Sequence, residues 1–502
     1  MPRRWLLLGC CGAGMRSLME TLLDCGQSVI GTDSQLATDS LALTEQAKWN
    51  RPGVQFLSWT RASQLLLADD SLPVDVVVST AAISAGSPLF RRWSGSRSHD
   101  GGVRIPSGDE QNSDERGGAP QLIRLPQLTA QVFQQHQQLC VAGTHGKSTV
   151  TALLWQILEC AGLSPGLFLG AEFCGKQAID AASRSGRAGA FGAGSLAVIE
   201  SCEFQRTFLN LTPSGIVLSG IDRDHFDCFA DVSEENQAFQ DFVQRLRPGR
   251  PLVVNAACQR SQRLVQALGI PCRTFGVDCT ADVAAVNIQP AADGTSFELR
   301  LAGCGLPLRT QLLGRHNVAN VAAAVAMALE CGVSLEVIQH AVRVFPGIRR
   351  RLEVRGYWNG ATLLDDYAHH PSAIRATLSA MRQSWPGRRI LAVFEPHQVS
   401  RTASLFAEFA HVLARADESL ILPVLPARET GSRTECLRMS GRLVRAVNDS
   451  GGRSFLMANL DQVVARIDHV ARNGDLVVTM GAGRANLIHD EFHRRLQRNS
   501  AA

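Results

Sequence analysis

Lysine is nearly missing from this chain: of 50 basic residues only Lys48, Lys147 and Lys176 are lysines, and the rest are arginines. A compact ammonium and a planar guanidinium are not interchangeable, so each retained lysine is a candidate for a position where chemistry needs it. An excess of one sign of charge is also lacking, with 50 basic against 46 acidic residues, and a net charge of +4 over 502 residues argues against a general nucleic-acid-binding surface. The 14 cysteines include no Cys-x-x-Cys pair, which excludes a zinc ribbon and a thioredoxin-like motif. Several, such as Cys140 and Cys160, lie inside apolar segments where a thiol behaves as a small hydrophobe, and the expected setting is a reducing cytoplasm. No apolar run approaches the roughly 18 residues of a membrane span, so no membrane partner is expected.

The length predicts several domains. Apolar "WLLLG", glycines, "MRSLMETLLDCG" at helical spacing and "SVIGTD" predict strand, turn, helix and strand, with a further buried strand in "VDVVVST". This is the pattern of a parallel α/β unit. Between about residues 91 and 120 the composition turns to Ser, Gly, Arg and Asp, which predicts a disordered insertion. A second α/β unit begins near "LTAQVF", with strands expected at "LAVIE", "GIVLSG" and "PLVVNA". After "FPGIRRRLEVRG" a third follows, with strands in "RILAVFEPH", "SLILPVLPA" and "DLVVTMGAG". The expected organisation is a Rossmann-like domain over 1–124, a central P-loop ATPase-type parallel sheet over 125–346 and a Rossmann-like C-terminal domain over 347–502.

The stretch "LCVAGTHGKSTVTALLWQIL" carries the most chemistry. An apolar strand ends at Gly143, a short loop follows, and Lys147, Ser148 and Thr149 start a helix with Val150, Leu153, Leu154, Ile157 and Leu158 on its apolar positions. Polyphosphate binding needs this arrangement: glycines admit backbone N–H groups, the helix start carries partial positive charge, and the lysine reaches the terminal phosphates. The Ser148 hydroxyl is then placed for Mg²⁺. The loop is a shortened variant, because Val141 stands where the full Walker pattern has its first glycine.

Eight blocks in order, "GTHGKST", "ESCEFQRTFLNLTP", "GIDRDHFDCF", "GRHNVANVAAAVA", "GIRRRLE", "DDYAHHPSA", "VFEPHQVSRT" and "TMGAG", resemble the signature blocks of the Mur ligases, most closely the branch that adds L-alanine to UDP-N-acetylmuramate. The resemblance implies ATP-driven amide bond formation through an acyl phosphate in cytoplasmic peptidoglycan precursor synthesis, by a monomer or homodimer using ATP and Mg²⁺. It implies that Gly143, Thr144, His145, Gly146, Lys147, Ser148 and Thr149 hold the phosphates. Ser148 and Glu200 would be metal ligands, with Glu203 as the alternative carboxylate. His225 resembles the ligand of a second Mg²⁺, although imidazole suits a transition metal or a capping role better than a hard cation.

Asn317 and Asn320, with His316, match residues that face adenine; a helix N-cap at Asn317 is the competing reading. Arg350, Arg351 and Asp366 fall in blocks that the family turns toward the nucleotide, and Tyr367, His369, His370, His397 and Arg401 in blocks that it turns toward the incoming amino acid. "HHP" is equally a turn before a helix, since proline favours the first helical position. Lys147, Glu200 and His225 would be the catalytic set.

Sibling ligases carry a modified lysine downstream of the metal-binding histidine, and this chain has no lysine after Lys176. That absence points away from those siblings and to the alanine-adding branch, as does "VFEPHQVSRT"; a recycling relative that attaches a whole tripeptide shares the "HHP" block but has an "EPRS"-like stretch there, and is the alternative enzyme. A non-catalytic paralogue binding UDP-sugar and ATP is disfavoured by the joint presence of Lys147, Glu200 and His225, and a dehydrogenase leaves "GTHGKST" unexplained. The apolar run in the opening "RRWLLLGCCGAGM" is too short for a typical export h-region, and cleavage before Cys10 would remove an expected first strand. By resemblance, Gly12, Ala13, Gly14 and Met15 cradle the UDP diphosphate and Asp33 meets a ribose. Cys11 stands where the family has a glycine, and Arg16, at the helix start, is a candidate partner for the phosphate.

Overall fold

The computed structural model describes residues 3–49, 51–67, 74–80, 121–175, 186–223, 228–427 and 429–501. The proposed insertion at 91–120, Lys176 and His225 lie outside the described residues. Within these residues the strands form three sheets.

The first sheet is wholly parallel, ordered Val54–Phe56, Ser28–Thr32, Arg4–Leu8, Val76–Ser79, Gln121–Arg124. Trp5, Leu6, Leu7 and Leu8 have no exposed surface, as a strand covered on both faces requires. Helix Ala13–Asp24 leaves the Arg4–Leu8 strand through the glycine turn and docks onto the edge of the second sheet. There the Glu20 carboxylate accepts the Ala188 and Gly189 N–H groups at 2.7 Å each, and the Leu169 N–H donates to Ser17 Oγ at 3.1 Å.

The central sheet differs from the all-parallel expectation. Its seven inner strands are parallel, from Val283–Ala291 through Gln137–Ala142 to Gly166–Phe168, but both edges are antiparallel: Gly294–Leu301 and Cys304–Thr310 on one side, Gly189–Ala190 on the other. The helix Lys147–Cys160 is buried from Ser148 to Leu158 because it is sandwiched between this sheet and helix Arg315–Glu330. The run Ala322, Ala323, Ala324, Val325 and Ala326 in the latter has no exposed surface, and its small side chains let the two helices approach closely.

The third sheet is ordered Glu353–Trp358, Ala361–Asp366, Leu476–Met480, Ile390–Phe394, Glu418–Ile421, Ser454–Leu456, with only the first strand antiparallel. The strands expected from "RILAVFEPH", "SLILPVLPA" and "DLVVTMGAG" are three adjacent members of it. The adjacent strand Ala361–Asp366 ends just before His370, which meets the Arg223 carbonyl of the central unit, in keeping with the rule that ligands collect at that edge of an open parallel sheet.

Candidate functional site

The strand Gln137–Ala142 runs into Gly143 (φ 126°), and the loop ends at Gly146 (φ 81°), the residue that caps helix Lys147–Cys160. Both backbones are left-handed, and a methyl group at Gly143 would collide with Ser219 Oγ, one at Gly146 with Asn320 Oδ1. Thr144 braces the loop: its N–H donates to the Gly220 carbonyl at 2.8 Å and its hydroxyl to the Asp222 carbonyl at 3.1 Å. Thr149 is buried in the first turn.

Lys147 Nζ donates to both oxygens of Glu203, at 2.9 and 3.2 Å, and to the Gly143 carbonyl. Burial works against the ammonium, but Glu203 above all outweighs it and holds the lysine pKa above its ordinary value. Ser148 Oγ donates to Glu200 Oε1 at 2.7 Å, while Glu200 Oε2 accepts the Gly170 N–H at 2.7 Å. The two carboxylates are thus separated: Glu200 meets the hydroxyl, and Glu203, the alternative metal ligand from sequence, is committed to the lysine.

His145 Nε2 lies 3.3 Å from Asp222 Oδ2 and 2.9 Å from Ser372 Oγ, so the loop touches the C-terminal unit directly. His370 caps helix Pro371–Ser384, with Nδ1 on Ser372 Oγ at 2.7 Å and Nε2 on the Arg223 carbonyl at 3.2 Å. Asn320 Nδ2 donates to Asn317 Oδ1 at 3.0 Å, and Asn317 Nδ2 to the Leu313 carbonyl at 2.9 Å. Asn317 therefore lies inside helix Arg315–Glu330; Gly314 holds the cap. His316 beside them is pushed down to about 4 by burial, with the charges of Arg351 and His145 acting in the same direction, so it is neutral at pH 7.

The rest of the C-terminal residues form a band. Tyr367 lies under the Arg350 and Arg351 guanidinium groups, 5.0 and 5.4 Å from its ring centre. Its backbone carbonyl meets His369 Nδ1 at 2.8 Å, and His369 faces His397 at 6.1 Å between ring centres. Arg401, nearly fully buried, approaches His397 Nδ1 at 3.4 Å. Asp366 is buried at the end of its strand and accepts the Ala368 N–H at 2.8 Å. Desolvation pushes its carboxyl up to about 6 despite Arg351.

In the first unit, Gly12 caps helix Ala13–Asp24, Ala13 and Gly14 open it, and Met15 is fully buried. Gly14 packs closely on Leu125 and Phe168. Asp33 accepts the Cys11 N–H at 3.1 Å and the Gln35 N–H at 2.9 Å, so it holds the turn together. Cys11 packs against the apolar core. Arg16, the candidate phosphate partner, is engaged elsewhere: with Glu172, with Glu45 at 3.5 Å and over the Trp49 ring at 5.3 Å.

Residues 141–328 match the Mur ligase middle domain, and residues 350–483 match the domain described as Mur ligase, glutamate ligase domain. A UDP-N-acetylmuramate–L-alanine ligase of Chromobacterium violaceum is 32% identical over 494 residues, covering 96% of each chain. The chain belongs to the Mur ligase family. One of the same name from Desulfitobacterium hafniense is 36% identical over 361 residues, 71% of this chain and 77% of its own. The crystal structure of the Thermotoga maritima UDP-N-acetylmuramate–alanine ligase has the same fold, with a TM-score of 0.75 at 20% identity and 99% coverage of both chains. A murein peptide ligase from Psychrobacter arcticus superposes with a TM-score of 0.71 at 24% identity and 98% coverage of both.

As a Mur ligase the chain is an ATP-dependent enzyme that joins an acid to an amino acid. Among the described residues no helix is long and apolar enough to cross a membrane. Sequence reasoning singled out neither Asp222, Ser372 nor Glu172. Asp222 sits in the quoted block "GIDRDHFDCF", but nothing in its spacing separates it from its neighbours. Glu172 binds Arg16 of the first unit and Arg349 of the joint, a meeting of distant segments without a local signature.

Proposed function

We propose that this Mur ligase joins L-alanine to the carboxylate of UDP-N-acetylmuramate, with ATP, in the cytoplasm. The reading rests on one arrangement above all: the Lys147 ammonium, the helix start and the Ser148 and Glu200 oxygens converge at one strand end, and His370 and Ser372 of the C-terminal unit close over it. The names of the two relatives at 32% and 36% identity support the choice of substrates.

Lys147, with the loop N–H groups, binds and orients the terminal phosphates of ATP, since the ammonium and the helix start both stabilise the charge that collects there. The sugar carboxylate oxygen attacks the γ-phosphorus and ADP departs. The alanine amine then attacks the acyl carbon, inorganic phosphate leaves and the amine gives up a proton. Oxygen donors are what Mg²⁺ takes, and Ser148 and Glu200 would hold it. When bound, it neutralises the charge of the phosphates. Neutral His316 and Asn320 face the nucleotide base, with buried Asn317 holding Asn320 from behind, and the Arg350, Arg351 and Arg401 band attracts groups that carry a carboxylate or phosphate. The turn from Gly12 to Met15 positions the UDP diphosphate.

The test is phosphate release from ATP with the substrates supplied singly and together. Release is expected only with UDP-N-acetylmuramate and L-alanine both present, and is lost in Lys147→Ala. Turnover with a free tripeptide, its N-terminal amine unblocked, in preference to L-alanine, or equal release without the nucleotide sugar, overturns it.

A further inference from the structure

We propose that His145, Asp222 and His370 form a binding site for a transition-metal dication of the zinc class, which ties the phosphate loop to the C-terminal unit. The three side chains come from the loop, from the segment after strand Pro213–Leu218 and from the cap of helix Pro371–Ser384. One ligand atom from each lies within 4.8 Å of the others. His145 Nε2 is 3.3 Å from Asp222 Oδ2, and His370 Nδ1 is 3.9 Å from the same oxygen. Tetrahedral zinc with bonds of about 2.0–2.1 Å places its ligands about 3.3 Å apart, so the trio needs only side-chain adjustment.

His370 already has the ligating tautomer, whereas His145 Nε2, which donates to Asp222, gives up its proton when the metal binds. His370 Nε2 faces the Arg223 carbonyl, which only accepts, so the proton sits on Nε2 and Nδ1 carries the lone pair, which caps the helix through Ser372 and is given up to the metal on binding. The Ser372 N–H, donating to the same Nδ1 at 3.3 Å, agrees with that tautomer. A histidine oriented through its other nitrogen is how proteins present imidazole to a metal. Asp222 stays ionised, held well below the usual carboxylate range first by its bond to His145, and its second oxygen accepts the Arg223 N–H at 2.8 Å. Ser372 Oγ, within 2.9 Å of both histidines, is placed to accept from a metal-bound water.

Two imidazoles and one carboxylate select a transition metal over Mg²⁺, which sets this cluster apart from the Ser148 and Glu200 oxygens. His370 is almost fully buried and His145 lines an approach with 40% of its side chain exposed. Binding therefore fixes the C-terminal helix against the phosphate loop.

The experiment is equilibrium dialysis of the untagged full chain against micromolar free Zn²⁺, without nucleotide, followed by metal analysis. The wild type is expected to hold one equivalent more than His145→Ala, Asp222→Asn or His370→Ala, each weakened about ten- to a hundredfold at this site. Cysteine-bound zinc is common to all four proteins and cancels in the difference. A second measurement uses the wild type alone: acylation of His145 by diethyl pyrocarbonate is expected to slow several-fold in Zn²⁺ and to be unchanged in Mg²⁺. Equal zinc in the wild type and the folded variants, or acylation of His145 at the same rate with and without Zn²⁺, overturns the proposal.

Discussion

Lys147 and Glu203 form an ion pair of 2.9 Å in which the carboxylate has no exposed surface. Breaking such a pair from one side strands a buried charge, whereas neutralising both partners does not. Lys147→Ala is therefore expected to lose activity and about 3 kcal/mol of stability. The double variant Lys147→Ala with Glu203→Gln should recover most of the stability and none of the activity. Urea unfolding beside a phosphate-release assay checks both, and a single variant as stable as the wild type would contradict the pairing.

Asp366 titrates upward to about 6 because burial disfavours its charge. A carboxyl whose pKa is raised on folding stabilises the fold most below its unfolded pKa, near 3.9, and that contribution disappears as pH rises through about 6. The difference is about 3 kcal/mol. Asp366→Asn, which keeps an acceptor for the Ala368 N–H, should therefore gain stability relative to wild type between pH 4 and 7. Parallel unfolding curves of the two proteins across that range would rule out the shifted carboxyl.

Gly189 lies so close to the Ser17 carbonyl that a side chain there collides with backbone. The same strand gives its N–H to Glu20 at 2.7 Å. Gly189→Ala should loosen the first unit from the central sheet at a cost of about 1–3 kcal/mol. UDP-sugar affinity is then expected to fall while ATP affinity, set by the loop around Lys147, holds. Calorimetric titration with each nucleotide separates the two, and an equal loss of both would refute the division of labour.

Arg16 illustrates what a sequence conceals. Its place at a helix start suggests a phosphate partner, but Glu172 and Glu45 claim the guanidinium and Trp49 covers it. With 30% of the side chain exposed, Arg16→Ala should cost only about 1 kcal/mol, less at high salt. Its effect on UDP-N-acetylmuramate affinity should be smaller than that of Gly189→Ala. A larger effect would return the guanidinium to the diphosphate.

The strands and the phosphate loop were legible because burial on both faces leaves continuous apolar runs, as in Leu6 to Leu8 and Leu139 to Ala142, and because a glycine turn before Lys147 has few other uses. The antiparallel edges of the central sheet were not, since Gly294–Leu301 alternates polar and apolar residues as any surface strand does. The partition of Glu200 and Glu203 was equally hidden. Their spacing puts both near the loop, but only the three-dimensional path of the chain after Leu196–Glu200 sends one to Ser148 and the other to Lys147. Asp222 and Ser372, which meet at His145, are 150 residues apart in sequence and share no motif.

Labelling both carboxylate oxygens of UDP-N-acetylmuramate with ¹⁸O follows the bond that an acyl phosphate must break. The chain, given this substrate with ATP and L-alanine, is expected to release inorganic phosphate carrying a single ¹⁸O atom, because the attacking carboxylate oxygen leaves with the phosphate when the amine displaces it. Phosphate free of label, with both labelled oxygens still on the nucleotide sugar, would contradict the account.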